Sequence, residues 1–244
     1  MNILIIDAIN TPGKQILKYL SENTEYNIFG TWDNEEKLDL LLNQLKDDDR
    51  SVFKNFKLDI YSFHIFYNIF SIVKPDYIIN CVSIDDTINN NLQYNNCDYV
   101  LYNSLWPNYL EQICKNKCKL IHITNNDVYL TKRTNSEYEP HDEVGFIGKS
   151  KSLGVLSDSM SIRVSGFMDD YNPSMEIWSG ITSKEFGSVC KQIIEQDLYE
   201  KGIYNIYSTT NDGTPDQYIW SIKDFQTKLK IKSVEKQLEE LLKE

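Results

Sequence analysis

The chain has 244 residues, 41% of them hydrophobic and 12% aromatic, enough to bury one substantial core. Its 36 acidic residues against 25 basic ones leave a formal charge of −11 at pH 7, with no Lys/Arg cluster to offset it, so nucleic acid is excluded as an expected partner. No run approaches the roughly 18 apolar residues that cross a bilayer, and Met1–Ile6 carries no basic leader, so a cytoplasmic protein with no membrane partner is expected. Five cysteines, an odd number without framework spacing, fit a reducing compartment. Cys114 and Cys118 share a helix face but lack a companion His or Cys pair, so they read as partly buried thiols, and no metal is expected.

Apolar runs alternate with amphipathic stretches from the start of the chain. Asn2–Ile6 predicts a first strand, Lys14–Ser21 a helix, Tyr26–Thr31 a strand, Glu35–Leu45 a helix, and Phe53–Asp59 a third strand. Phe63–Val73 then reads as a helix, Tyr77–Val82 as a strand, Asp98–Cys114 as a helix, and Lys119–Thr124 as a strand before a helix from about Lys149. Short unbroken runs such as Ile3–Ile6 suit strands buried on both faces, so the repeating βα pattern predicts an α/β fold with a doubly wound parallel sheet. After Met160–Ser165 the pattern loosens to a helix at Ser183–Glu195, a strand at Ile203–Tyr207, a helix around Ile222–Lys228 and a terminal helix from Val234. Residues 1–165 are expected to form the nucleotide-binding domain, with 166–244 a small C-terminal lobe packed on it as one compact unit.

Ligands of such sheets sit beyond the carboxyl ends of the strands. The first strand runs into Asp7-Ala-Ile-Asn10-Thr11-Pro12-Gly13, where a dinucleotide-binding fold carries three spaced glycines and only Gly13 remains. Thr11 is positioned as an N-cap and Pro12 as a first helical residue, which keeps an anion-attracting helix start. Asn10 can take the left-handed conformation of a missing glycine. Asp7 either puts a carboxylate where pyrophosphate oxygens approach or satisfies amides of the turn. In the first case, like charges about 5 Å apart at an effective dielectric near 20 repel by roughly 3 kcal/mol, about a hundredfold in affinity. Asp33, just past the second strand, is placed either to accept a ribose hydroxyl or to sit in solvent.

Several ordered segments resemble the extended short-chain dehydrogenase/reductase family, most of all its dTDP-4-dehydrorhamnose reductase group. They are Leu58-Asp59-Ile60, Lys74-Pro-Asp-Tyr-Ile-Ile-Asn80-Cys81, Tyr102-Asn103-Ser104, Leu120–Tyr129, Arg163-Val-Ser165, Trp178-Ser-Gly-Ile-Thr182 and Gly202-Ile-Tyr-Asn-Ile206. The resemblance implies a Rossmann-like fold and NAD(P) contacts from Asp7, Asn10, Thr11, Gly13, Asp33, Asp59, Asn80, Cys81, Val82 and Lys151. It also implies a nucleotide-sugar ligand, UDP- or dTDP-linked. Gly145-Phe-Ile-Gly-Lys-Ser-Lys151 is similar to the family's Tyr-Gly-x-Ser-Lys, in which the tyrosine protonates the carbonyl being reduced. Ile147 stands at the tyrosine position, and losing a positioned general acid typically costs roughly 100- to 10,000-fold in rate. The carbonyl-orienting threonine falls on Asn125, whose amide can still donate, with Thr124 one residue away. The segment between Phe167 and Trp178 is shorter than the family's.

Three readings follow. The first is a catalytically impaired relative acting by binding a nucleotide, a nucleotide sugar or a partner protein, in the manner of the similar non-catalytic subunit of methionine adenosyltransferase, or as a homo-oligomer. The second is an active NAD(P)H-dependent reductase, or epimerase-reductase, of a 4-keto-6-deoxy nucleotide sugar, with Lys151 retained and Tyr129 or Tyr138 as a displaced proton donor. Cys81 is then either an epimerisation acid/base or a small buried residue. The third is an assembly protein whose cleft is filled by Trp32, Tyr129 or Phe146.

Overall fold

The computed structural model describes residues 1–45, 53–84, 94–129, 136–143, 145–164, 166–169, 180–211, 221 and 223–243. Among them, seven parallel strands form one sheet: β1 (Asn2–Ile6), β2 (Asn27–Trp32), β3 (Lys54–Lys57), β4 (Tyr77–Asn80), β5 (Lys119–Asn125), β6 (Met160–Val164) and β7 (Gly202–Ile206). The helices are α1 (Gly13–Asn23), α2 (Glu35–Gln44), α3 (Phe63–Val73), α4 (Asn96–Val100), α5 (Trp106–Cys114), α6 (Phe146–Leu153), α7 (Ser183–Glu195) and α8 (Val234–Leu241). Strand order is β3-β2-β1-β4-β5-β6-β7, with Ile5 of β1 opposite Gly30 on one side and Ile79 on the other. The chain therefore reverses direction across the sheet between β1 and β4, which opens a crevice at their carboxyl ends.

Ile3, Leu4, Ile5 and Ile6 have no exposed surface, because successive side chains enter opposite layers and both layers are covered. Ile3 and Ile5 join Ile79 and Ile121 under Ile16, Leu17 and Leu20 of α1 and Phe186 of α7. Leu4 and Ile6 join Ile78 and Leu120 under Phe66 and Ile69 of α3 and Trp106 and Leu110 of α5. Residues beyond 166 supply both α7 and the edge strand β7. Gly187 of α7 lies so close to α1 that a Cβ there would sit 2.7 Å from the Cβ of Tyr19.

Two expected elements differ in detail. The helix placed at about Lys149 starts at Phe146 behind Gly145, with no side-chain cap to mark it in the sequence, which brings Ile147 into its first turn. Around Ile222–Lys228, where Ile222 lies outside the described residues, only a 3₁₀ turn at Gln226–Lys228 forms. Phe225 there packs on Tyr204 at 4.5 Å and Gln226 Nε2 donates to the Tyr207 carbonyl at 2.8 Å, so the segment is spent covering the end of β7. No helix among the described residues is long and apolar enough to cross a membrane.

Gly13 shows why one glycine of the first turn is kept: a Cβ would lie 2.1 Å from the Asp7 carbonyl oxygen, a backbone atom that cannot step aside. Gly13→Ala is therefore expected to cost about 1–3 kcal/mol as the turn is forced open. A denaturant melt within about 0.5 kcal/mol of wild type would show that the contact is relieved at no expense.

Candidate functional site

The crevice begins at the turn after β1. Asp7 is its left-handed residue, with φ 62°, and not Asn10 as the sequence suggested. The Asp7 carboxylate accepts from the Asn10 side-chain amide at 2.7 Å, and Asn10 Oδ1 accepts from the Lys37 ammonium at 2.6 Å. Asp7 thus meets a side chain and not the amides of the turn, while its own N–H donates to Thr31 Oγ1 at 3.0 Å. Burial, reinforced by the charge of Asp33, pushes the Asp7 carboxyl up to about 7, against the pull of Asn10 and Lys37. The cap also shifts by one residue: Pro12 is the N-cap of α1, Thr11 is exposed outside the helix, and no side chain caps it. Asn10 still serves the helix start by accepting from Lys14 N through its carbonyl at 2.9 Å.

At the far side of the crevice, β5 and α6 bring Asn125 and Lys151 together as the sequence suggested. Lys151, 3% exposed, donates to Asn125 Oδ1 at 3.1 Å and to Asp127 Oδ2 at 2.5 Å, and Asn125 Nδ2 donates to the same carboxylate oxygen at 2.8 Å. Asp127 also donates its N–H to Asn125 Oδ1 at 3.2 Å, so the amide is used at both ends. The triangle commits both the cation and the amide to an internal anion. Asp127 was missed as a partner, although it stands in the segment Thr124-Asn-Asn-Asp127. The Thr124 hydroxyl, largely buried, is not part of the triangle. Ile147 presents a partly exposed alkyl side chain one turn before Lys151, and Gly148 abuts the Asp127 carbonyl, where a Cβ would lie at 2.4 Å.

Because Lys151 is buried and Asp127 is 39% exposed at its side chain, removing the acid strands a cation. Asp127→Ala is expected to cost about 1–3 kcal/mol, less than a fully buried pair because solvent reaches the acid. Adding Lys151→Met should recover most of that in a double-mutant cycle of chemical melts. Purely additive losses would mean that the pair holds nothing together.

Neither tyrosine offered as a displaced donor is free for that task. The Tyr129 hydroxyl donates to the Ser136 carbonyl at 3.0 Å and accepts from the fully buried Arg163 at 2.6 Å. Tyr138 is 71% exposed and stands with Lys223, Glu200 and Tyr204 around an open cleft of about 470 Å³ beside the start of β7, two strands from Asn125. Of the side chains proposed to fill the crevice, Tyr129 is buried, whereas Phe146 is 43% exposed and Trp32 is partly exposed, its indole donating to Asn55 at 3.0 Å.

The remaining predicted contacts divide between core and turn. Asn80, with no exposed surface, points its amide inward: Oδ1 accepts from Trp106 Nε1 at 3.2 Å and Nδ2 donates to His122 Nδ1 at 2.9 Å. Its side chain ties β4 to β5 and to Trp106 of α5. Cys81 is 6% exposed in the α1-side core, and burial followed by the charge of Asp7 holds its thiol well above its usual range, unsuited to acid/base work. Val82 is likewise 2% exposed. Asp59 is exposed and ties the turn into α3, accepting from Tyr61 N at 3.0 Å and Ser62 Oγ at 3.3 Å. Asp33 is exposed. Asn103 sits in a π-helical turn (Leu101–Leu105) between α4 and α5, where its amide pairs with both backbone groups of Ile84 at 3.0 Å. Ser165, Trp178, Ser179 and most of the segment between Phe167 and Trp178 lie outside the described residues.

One feature of this rim had no periodic signal. Tyr61, Tyr102, Tyr94, Tyr99 and Phe146 form a row with ring centroids 6.1–6.4 Å apart. Tyr61 donates to Asp98, and that bond, followed by burial, pushes its hydroxyl up to about 12. Tyr94 lies close enough to Asp33 and Asp7 that their charges add to burial in raising its own value. The rim is therefore acidic and aromatic, with Lys37 as the cation bridged to the turn. No group of three or more His, Cys, Asp or Glu able to hold a metal occurs among the described residues.

No family model and no curated protein sequence matches this chain. Solved structures do resemble it. A Sulfolobus tokodaii protein described as a hypothetical dTDP-4-dehydrorhamnose reductase shares 18% identity over 91% of this chain and 86% of its own, with TM-score 0.65. The dTDP-glucose 4,6-dehydratase of Bacillus anthracis, solved with NAD, shares 13% over 100% and 96%, with TM-score 0.70. The dTDP-4-dehydrorhamnose reductase of the same organism, solved with NADP, shares 12% over 99% and 97%, with TM-score 0.63. The chain thus has the Rossmann-like α/β fold of the extended short-chain dehydrogenase/reductases that act on nucleotide sugars. At these identities the likeness defines the fold and not the chemistry of the site.

Proposed function

We propose that this chain is a catalytically impaired relative of nucleotide-sugar reductases that acts by binding a nucleotide, a nucleotide sugar or a partner protein. The observation that carries this reading is the state of the reductive site: Ile147 brings no proton to the crevice, and Lys151 is held by Asp127 and Asn125. A carbonyl placed there would meet a cation already neutralised and no hydroxyl one turn earlier. The phosphate turn supports the same conclusion, since Asp7 and its neighbour Asp33 oppose a pyrophosphate and Asn10 is occupied between Asp7 and Lys37. Those residues fit a nicotinamide dinucleotide poorly, so binding of NAD(P) should be weak and no hydride step is assigned.

The competing reading of an active reductase draws on the 3.1 Å approach of Lys151 to Asn125, a reductase-like placement. Thermal-shift titrations with NADH, NADPH, UDP and dTDP, followed by an NADPH-oxidation assay with a dTDP-4-keto-6-deoxy sugar, separate the two. The expected result is stabilisation by a nucleoside diphosphate or by none of the four, without turnover above the no-enzyme rate. Turnover of about 1 s⁻¹ or more would overturn the proposal.

A further inference from the structure

The five thiols are unequal. Cys81 and Cys190 are buried in the core on one face of the sheet, and Cys97 is exposed. Cys114 and Cys118 differ because the chain brings them together at the junction of α5 and β5. Cys114, 2% exposed, ends the helix, whereas Cys118 is partly exposed, one residue before the strand. Asn116 turns the backbone with φ 60°, and the N–H groups of Lys117 and Cys118 both donate to the Cys114 carbonyl, at 2.8 and 3.1 Å. A turn closed in this way sets the two Cα atoms about 6 Å apart, inside the range of roughly 4.4–6.8 Å that a disulfide spans. The neighbouring Cys118 thiol, followed by burial, holds the Cys114 thiol well above its ordinary range. Lys115, Asn116 and Lys117 are exposed, so small solutes reach the turn from solvent.

We infer that Cys114 and Cys118 are a reversible redox pair that closes to a disulfide when the protein meets a hydroperoxide. The Cys118 thiolate attacks the terminal peroxide oxygen, the O–O bond breaks, and the leaving alkoxide or hydroxide takes up the proton given up by Cys118. The Cys114 sulfur then attacks the sulfur of the resulting sulfenic acid, the S–O bond breaks, and water leaves with the Cys114 proton. Two electrons pass from two thiols to one peroxide, giving a disulfide, an alcohol or water, and one further water. The bond ties the last turn of α5 to the first residue of β5, across the layer that holds Trp106.

The test uses the full chain, folded, in a Cys97→Ser background that removes the exposed thiol. The protein is treated with hydrogen peroxide at pH 7.5, alkylated and digested with trypsin. Cleavage after Lys115, Lys117 and Lys119 puts the two cysteines on separate peptides, so the disulfide appears as one joined mass that dithiothreitol dissolves. The expected result is that joined mass, a loss of two titratable thiols and a rise in Tm of about 2–6 °C that reduction reverses. Cys118→Ser, a mild change at a partly exposed position, should abolish the joined mass and leave Cys114 alkylatable after unfolding. Two fully alkylated cysteines after peroxide, Cys118 halted at the sulfinic acid, or a bond to another molecule would each overturn the inference.

Discussion

Replacing Asp7 with glycine is expected to tighten NADH binding by about tenfold at pH 8, where a carboxyl held near 7 is mostly ionised and must take up a proton to admit a pyrophosphate, and by only about twofold at pH 7. The change removes a carboxylate from the phosphate turn, releases Asn10 from its 2.7 Å bond, and suits a backbone already at φ 62°. Asp7→Asn isolates the charge, because asparagine tolerates the same conformation and keeps a polar side chain. If fluorescence titration shows both variants binding NADH as weakly as wild type, the carboxylate is not what closes the site.

The same residue has a signature without ligand. Its folded value of about 7 exceeds the ordinary carboxyl value of 3.8, so between pH 4 and 7 the native state holds a proton that the unfolded chain has released. Stability therefore falls as pH rises through this window, by roughly 2–4 kcal/mol in all. Asp7→Asn should melt well above wild type at pH 8 and level with it at pH 4.

Acid unfolding should be steeper in Asp7→Asn than in wild type, which is the second large effect. His122 and His141 both have folded values lowered to about 4, by burial in each case and, for His141, also by Arg163. Trp106 fixes which end of the Asn80 amide is oxygen, so Asn80 donates to His122 Nδ1 and that ring is neutral. Arg163 donates to His141 Nε2 at 3.0 Å, which leaves His141 Nδ1–H to donate to Ser152 at 2.5 Å. A second proton on His141 would set imidazolium against guanidinium and free residues 136–143 from α6.

For a base with a lowered value, stability is complete above the unfolded value near 6.5 and is lost as pH falls toward 4. His122 contributes about 3 kcal/mol to that loss, and the more exposed His141 about 1–2 after allowance for solvent. In wild type the opposite slope of Asp7 offsets much of this. With Asp7→Asn the histidine slope stands alone, and His141→Gln should flatten it in part. Stability curves of wild type and Asp7→Asn that run parallel from pH 8 to pH 4 would show that these opposing slopes do not exist.

How much of this was legible beforehand follows from what each signal measures. Strands and helices with strong periodicity came out at or near their observed limits, because a two-sided sheet demands unbroken apolar strands and one-sided helices. Gly13 was legible as a retained glycine, though not its reason, a carbonyl 2.1 Å from where a Cβ would be. The side-chain partners of Asn80 were not legible, because a polar residue at a strand end looks alike whether it faces a ligand or Trp106 and His122. The left-handed residue of the first turn was assigned to Asn10 on local preference, whereas the pairing of its neighbours put it at Asp7.

By itself, then, the sequence determined the α/β architecture, which follows from side-chain type and period along the chain, whereas the expectation that Ile147 stands at a reductase's tyrosine position came from a resemblance of motifs. Only the tertiary structure decided where the retained polar groups spend their hydrogen bonds. Lys151 with Asp127, Tyr129 with Arg163, and Asp7 with Asn10 and Lys37 are pairings between elements 3 to 34 residues apart or on different layers. Pairing of that kind is set by distance in space and by the loss of competing water, neither of which a linear pattern encodes.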